Sequence, residues 1–383
     1  MSLILDGTTG VPVTTVTGTL PVANGGTGSA TNATGFKNRI INGAMVIDQR
    51  NAGAATLNTI SGYTVDRWQI VQSPATGKVI GQQNAGSVTS ATGFRNYYGI
   101  TSQSAFSVAA GSIYTFIQAI EGFNFSDAMW GTASATSVTL SFQVYSSLTG
   151  TFGGAIQNGA LNRSYPYTYT IASANTWTNI SVTIAGDTSG TWIGATNGIG
   201  AYVNFGLGVG TTYSGTASAW ASADYRSATG ATSVVGTNGA TFYLTGVQLE
   251  VGSTATSFEY RPYGTELALC QRYLPAFNSN GSTFAAVPAI CLCTSTSSIR
   301  ANIIFSVIAR TPPTGITVSS GAHFTVYQSS GATVVCTTAS AVGFSLYGGI
   351  IDFSGASGLT AGNSSGLFIN NTAGQLLLTG CEL

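Results

Sequence analysis

Charge is what this chain has least of. Only 6% of its 383 residues are Asp, Glu, Lys or Arg, against about 25% in an ordinary soluble protein, and its twelve bases balance its twelve acids. Phosphate binding needs clustered Lys and Arg, so a nucleic-acid groove has no support. Long apolar runs are missing too. Mean hydropathy is positive at +0.27, yet no stretch approaches the ~20 apolar residues of a membrane span; the run Ile303 to Ala309, for one, is broken by Ser306. Met1 to Leu5 lacks the positive flank and long core of a signal peptide. The single histidine, His323, has no nucleophile or orienting acid marked beside it in the sequence, as a triad would require. No Walker sequence occurs, and the Gly pairs lack the strand-to-helix setting of a dinucleotide site. Five cysteines, an odd number, all fall in the last third, which argues against a fully paired disulfide framework. Cys291-Leu292-Cys293 has one intervening residue where zinc motifs usually have two to four. On a strand the two side chains share a face and read as small buried apolar groups.

Carboxylates are equally sparse. A glycosidase usually sets two across a cleft, and this chain has five Glu and seven Asp in all. Glu250 and Glu259 flank a seam between domains, Glu266 opens a helix-like run, and Glu382 belongs to the terminus. Asp66 and Arg67 read as a pair that positions Trp68. Glu121, Asp127 and Asp224 remain unassigned, and the chain is read as not an enzyme.

What is present is glycine, fifty residues of it, with abundant Ser, Thr and Ala, the composition of many short strands and turns with polarity carried by hydroxyls. Residues 1–36 have no aromatic before Phe36 and little periodicity, so they cannot bury a core; they read as an extended N-terminal attachment arm. From 37 to 262, runs such as Ile113 to Ile117, Val138 to Val144, Trp177 to Ile184 and Ala201 to Phe205 alternate apolar with polar residues, the mark of a β-sandwich. Alternation in Phe242, Leu244, Val247, Leu249 and Val251 slips phase at Gly246, where a bulge is expected. Pro262 and Gly264 stop that strand. Glu266, Leu267, Leu269, Cys270, Arg272 and Tyr273 then form a short helical linker over 263–275, acid first and base last as the helix dipole favours. Residues 276–383 form a second, smaller β-sandwich, with strands expected at Ile299 to Ile308, Ile316 to Ser319, Phe324 to Tyr327, Ala332 to Thr337, Gly343 to Leu346 and Gln375 to Leu378. The fold class is all-β.

Several of these segments carry a resemblance. Gln248-Leu249-Glu250, Ala255-Thr256, Phe258-Glu259 and Arg261, then Glu266-Leu267, Cys270 and Arg272-Tyr273, resemble the junction of many bacteriophage and prophage tail-fibre or tail proteins. Asn38 to Met45 with Asp48-Gln49-Arg50 and Tyr63, Asp66, Arg67 and Trp68 resemble the opening of the same proteins' carbohydrate-binding-module-like domain. Leu20 to Gly28 is similar to the Gly-Gly-Thr-Gly stretch of fibre shafts, Arg310 to Pro313 to an Arg-then-Pro turn of C-terminal fibre domains, and Gly380-Cys381-Glu382-Leu383 to an acidic fibre ending.

The resemblance implies a jelly roll whose first strand, near Ile40 to Asp48, pairs close to its last. It implies a virion protein of the tail, assembled in the host cytoplasm, attached through its N-terminal arm to other tail proteins and contacting host surface polysaccharide. Jelly rolls of this kind often hold a structural Ca²⁺, for which the sequence names no ligands; no other cofactor is expected. Low charge lowers the solubility of a monomer, and burying surface in a homotrimer, with 276–383 as trimerisation domain, resolves that conflict. Sugar rings stack on aromatic faces while planar polar groups meet their hydroxyls, so the glycan-binding candidates are aromatics beside Asp, Asn or Arg: Tyr97, Tyr98, Trp130, Trp192, Trp220 and Tyr225. Trp68 and Trp177 read as core. The alternatives are a baseplate, collar or capsid-decorating protein without receptor binding, and a polysaccharide depolymerase.

Overall fold

Period-two alternation builds two six-stranded antiparallel sheets from the first two thirds of the chain. The structure, a computed structural model, describes residues 36–57, 61–74, 76–355 and 357–383. The expected arm over 1–36, with its Gly-Gly-Thr-Gly stretch, lies outside them apart from Phe36. One sheet runs in the order Thr56–Leu57, Val79–Gln83, Tyr98–Ser102, Thr241–Val251, Val138–Ser146, Thr178–Ile184. The other runs Gly62–Tyr63, Trp68–Ser73, Ile113–Glu121, Ile199–Val209, Gly150–Asn158, Ser164–Ile171. The chain crosses between layers repeatedly, the winding of a jelly roll. Inward rings fill the space: Phe116 stacks on Trp68 at 4.9 Å and on Tyr98 of the facing sheet at 5.2 Å, and Phe142 meets Phe205 edge-on at 5.0 Å. Each fully buried Phe contributes about 1.5–3 kcal/mol, more than a surface ion pair at about 0–1 kcal/mol, which is how so uncharged a chain holds together.

The bulge falls where the alternation slips. Pairing of Thr241–Val251 with Val138–Ser146 shifts register between Thr245 and Gln248, and Gly246 has φ +62°, a left-handed conformation that glycine adopts without strain. The first strand of the resemblance does not form. Residues 38–48 do lie against the last strand, with Arg39 N–H donating to the Leu249 carbonyl at 2.8 Å and Val247 N–H to that of Gly43 at 3.0 Å. However, the Asn38 side chain takes Val247 O and Leu249 N–H in place of a backbone ladder, and Asn42 and Met45 both have positive φ. The segment adjoins the strand and stays irregular.

The helix Tyr263–Gln271 follows, with Glu266 in its first turn and Cys270 buried. Beyond it a seven-stranded sheet runs Ala285–Ala286, Ser364–Ile369, Ala289–Cys293, Ser298–Ile304, Gly348–Gly355, Thr333–Phe344, Phe324–Gln328. Phe324–Gln328 also pairs with Ser364–Ile369, so the sheet closes around its core. A three-stranded sheet of Ala276–Asn278, Gln375–Thr379 and Gly315–Val318 adds Leu376 and Leu378 to that core. The strands expected at Ala332 to Thr337 and Gly343 to Leu346 are largely one strand, Thr333–Phe344, bent by register shifts at Cys336/Thr338 and Ala341/Gly343. Its neighbour Gly348–Gly355 is a strand that was not expected. Cys291 and Cys293 point into the core together, and burial pushes the Cys291 thiol up to about 11 and that of Cys336 up to about 12.

Residues from several of the described segments that carried the resemblance meet at the joint between the two blocks. Asp66 and Arg67 do not pair with each other, contrary to expectation. Arg67 has φ +73°, which turns its side chain away: its guanidinium donates to Glu382 at 2.9 Å and to the Ala119 carbonyl at 2.6 Å, and lies 3.6 Å over the Tyr273 ring. Asp66 instead accepts the Gln49 N–H at 2.6 Å and its Nε2 at 2.7 Å. Burial, opposed by those two bonds, pushes the Asp66 carboxyl up to about 7. Arg50 also pairs with Glu382, and the Tyr63 hydroxyl donates to the Leu383 carbonyl. Trp68, fully buried, donates its indole N–H to Asn42 O at 3.1 Å.

Candidate functional site

Gly246 also seats an aromatic. A side chain there would meet Phe94 Cζ at 2.5 Å, so the bare bulge is what lets Phe94 lie on the strand. Phe94 in turn packs against Phe258 at 5.0 Å and Tyr260 at 5.6 Å, with Phe258 and Tyr260 edge-on at 4.9 Å. The loop that carries Phe94 is clamped at its base: Asn84 accepts Tyr97 N–H at 3.1 Å and donates to the Asn96 side chain at 2.9 Å, while Thr245 donates to the Asn96 carbonyl at 2.7 Å.

The facing loop is folded back by the strand's own polar residues. Glu250 accepts from Thr256 N–H and hydroxyl at 2.8 and 2.6 Å, and the Gln248 side-chain carbonyl accepts Glu259 N–H at 2.8 Å. Glu259 then receives the N–H groups of Lys37 and Asn38 at 2.6 and 2.8 Å. Almost fully buried, Arg261 bridges Glu259 at 3.1 Å and Glu266 at 3.4 Å. Between these loops lies a cleft of about 370 Å³, within the ~300–1,000 Å³ of ligand pockets. Tyr260 and Tyr263 stand on it 60% and 62% exposed. Arg95 and Asn96 supply polar groups, and Gly43 lies so close to the Val247 carbonyl that no side chain fits there. A second cavity of about 430 Å³ at the joint has Tyr263 as its one lining aromatic among the described residues.

The residues singled out from sequence fall elsewhere. Tyr97 and Tyr98 are 0% and 1% exposed, which leaves neither a face for a sugar ring. Tyr98 points into the sandwich, and Tyr97 stacks on Tyr243 at 5.3 Å under the segment that includes Ala85 and Val88. Trp130, Trp192 and Trp220 come together at 4.7–5.7 Å, each nearly perpendicular to the others. Their indole N–H groups are committed to Thr136 O, the Asp187 carboxylate and Ala185 O, and Arg163 grips Asp187 through two 2.7 Å bonds. Those bonds outweigh burial and hold the Asp187 carboxyl below its usual range. Their ring faces are thus largely spent on one another. Tyr225, half-buried, lies on the backbone of Gly215. Trp177 is half-buried at the edge of the Tyr97–Tyr145–Tyr243 cluster.

Phe94, Phe258, Tyr260 and Tyr263 were missed. Phe94-Arg95-Asn96 immediately precedes the tyrosine pair that drew attention, and Phe258 to Tyr263 was read only as a seam. The signal available was the glycine slip at 246, which opens room for a ring on the outer face.

The three unassigned acids all have partners. Glu121 accepts from Arg272 at 2.6 and 3.0 Å and from the Tyr273 hydroxyl at 2.6 Å; burial raises its carboxyl, and these bonds outweigh it and hold it below the usual range. Asp127 pairs with Arg39, and Asp224 with Arg226 and Gln157. His323 Nδ1 lies 2.8 Å from Ser319 Oγ, which also accepts Gln375 N–H at 3.0 Å; no Asp or Glu is bonded to the ring among the described residues. Nor do the described residues gather three His, Cys, Asp or Glu side chains able to hold a metal ion.

No protein-family model and no curated protein matches the sequence. Among solved structures, the enzymatically active domain of tailspike protein 4 from bacteriophage CBA120 is 13% identical with a TM-score of 0.31, over 56% of this chain and 21% of that one. TmCBM61 in complex with β-1,4-galactotriose is 8% identical at TM-score 0.29, over 57% of this chain and 100% of its own. A family 11 carbohydrate-binding module from Clostridium thermocellum, in complex with a mixed-linked tetrasaccharide, is 11% identical at 0.27, over 52% and 99%. This chain thus spans about a fifth of the tailspike chain. Likeness at this level assigns neither ligand nor role.

Proposed function

We propose that this chain is a non-enzymatic carbohydrate-binding protein of a phage tail, a fibre or related appendage that holds a host-surface glycan in the cleft between Phe94 and Tyr263. The observation that carries the reading is the pair of exposed tyrosines beside the unpartnered guanidinium of Arg95 in a cavity of ligand size. Pyranose rings present C–H faces that pack on such rings, and amide and guanidinium groups meet the hydroxyls around them. The commitment of Glu121, Asp127 and Asp224 to other side chains supports binding over hydrolysis. Its placement in a virion rests on the ordered motif resemblance, and its assembly in the host cytoplasm and attachment through the N-terminal arm follow from that placement. A homotrimer fits the low charge and the exposed aliphatic side chains of the C-terminal sheet, and gathers several weak sites on one particle.

A host-polysaccharide array probed with the purified full chain tests the function. We expect retention of at least one glycan, weakened about tenfold or more by Tyr260→Ala or Tyr263→Ala, in keeping with the loss of one stacked aromatic. Failure of the wild-type chain to hold any glycan would overturn the reading, and gold labelling of intact particles away from the tail would overturn its placement.

A further inference from the structure

Arginine is almost entirely accounted for in this molecule. Arg39, Arg50, Arg67, Arg163, Arg226, Arg261, Arg272 and Arg300 each face a carboxylate, and Arg310 donates to the carbonyls of Cys381 and Glu382. Among the described residues, Arg95 is the one arginine whose guanidinium has no hydrogen-bond or ion-pair partner, and it is exposed on the wall of the aromatic cleft. Its backbone is fixed, since the Ser90 hydroxyl donates to the Arg95 carbonyl at 2.8 Å and Asn96 is tied to Asn84 and Thr245. The two carboxylates of the cleft, Glu259 and Glu266, are engaged by Arg261 and by the N–H groups of Lys37, Asn38 and Asn42. Both carboxylates are thus hydrogen-bonded within the protein, and Arg95 is the charged side chain of the cleft without a partner.

We infer that the glycan is acidic and that Arg95 pairs with a sugar carboxylate while Tyr260 and Tyr263 carry the ring. This rests on the carbohydrate reading above. A guanidinium presents two parallel N–H donors at the spacing of a carboxylate's two oxygens, a fit that a lone ammonium lacks. In a chain where every other described arginine is matched internally, an unmatched guanidinium beside stacking rings is a recognition group.

The test measures affinity by calorimetry for uronate-containing oligosaccharides from host capsules and for plant oligogalacturonate, each alongside its carboxyl-reduced neutral counterpart and a sulfated neutral glucan. For the wild-type chain we expect the uronates to bind about ten- to a hundredfold more tightly than their reduced forms, the range of a charge-assisted hydrogen bond. Arg95→Gln removes that preference and leaves the melting temperature unchanged, whereas Tyr260→Ala weakens acidic and neutral sugars alike. Equal affinity for acidic and reduced forms, a stronger response to the sulfated glucan, or a preference that survives Arg95→Gln would overturn the acidic assignment while leaving carbohydrate binding intact. Binding of none of these sugars would overturn both.

Discussion

Gly246 shows how one residue couples backbone to site. Its φ of +62° sets the bulge, and its missing side chain makes room for Phe94. Alanine at this position meets both a left-handed backbone and the ring, so Gly246→Ala is expected to cost about 1–3 kcal/mol. It also displaces Phe94 from the cleft. Urea unfolding and glycan retention measured together check this; unchanged values for both would show that the ring yields freely. Asp66 makes a different point, since its carboxyl is held near 7 by burial. A raised acid favours the protonated form in the fold, so the stability it contributes is complete below pH ~4, the unfolded value, and is lost as pH rises through about 7. Wild-type protein should therefore have a higher urea midpoint at pH 5 than at pH 8. Asp66→Asn should flatten that difference, because the Gln49 amide can turn to accept from either a protonated acid or an amide. A midpoint rising between pH 5 and 8 in the wild type would contradict the assignment.

At the scale of elements, the informative segment is the run from strand Thr241–Val251 through helix Tyr263–Gln271. Its polar residues form a chain of contacts: Gln248 and Glu250 fold the following loop, Glu259 and Arg261 tie that loop to residues 37–42, and Arg272 with Tyr273 reach Glu121 across the sandwich. A sequence reading recovers the strand, the bulge and the helix because each is governed by local rules of alternation, glycine conformation and capping. It does not recover residues 38–48 as an irregular strap, because Asn38 replaces ladder bonds with side-chain bonds to a strand some two hundred residues away. The same limit explains the binding candidates. An aromatic beside Asp or Arg was taken as a sign of exposure, whereas Trp192 and Asp187 meet because the indole donates to the acid inside a packed cluster.

At the scale of the whole molecule, the outer face of the C-terminal sheet is conspicuously apolar. Ile290 is 70% exposed and Tyr347 65%. Ile290 stands opposite Asn302, two residues from outward-facing Ile304. Soluble monomers seldom expose many large apolar side chains on one face, and here Asn302 and the Arg300–Asp352 pair are polar groups set among them. Sedimentation of the purified chain should show a stable oligomer at micromolar concentration. Ile290→Asp combined with Ile304→Asp should dissociate it without unfolding either domain, as read by circular dichroism. A wild-type monomer across that range would remove the trimer from the proposal.

Composition and periodicity by themselves determined that this protein is all-β, that hydroxyls stand in for charge, and where the helix interrupts the strands. These properties follow from local backbone preference and from a shortage of groups able to do anything else. Only the tertiary structure decided which aromatics are core and which line a cleft, that Arg67 turns from Asp66 to Glu382, and that Arg95 alone among the described arginines is left unpaired. Those outcomes depend on which distant strands come to lie side by side, and the partner of a buried ring or a charge is fixed by that packing rather than by its neighbours in the chain.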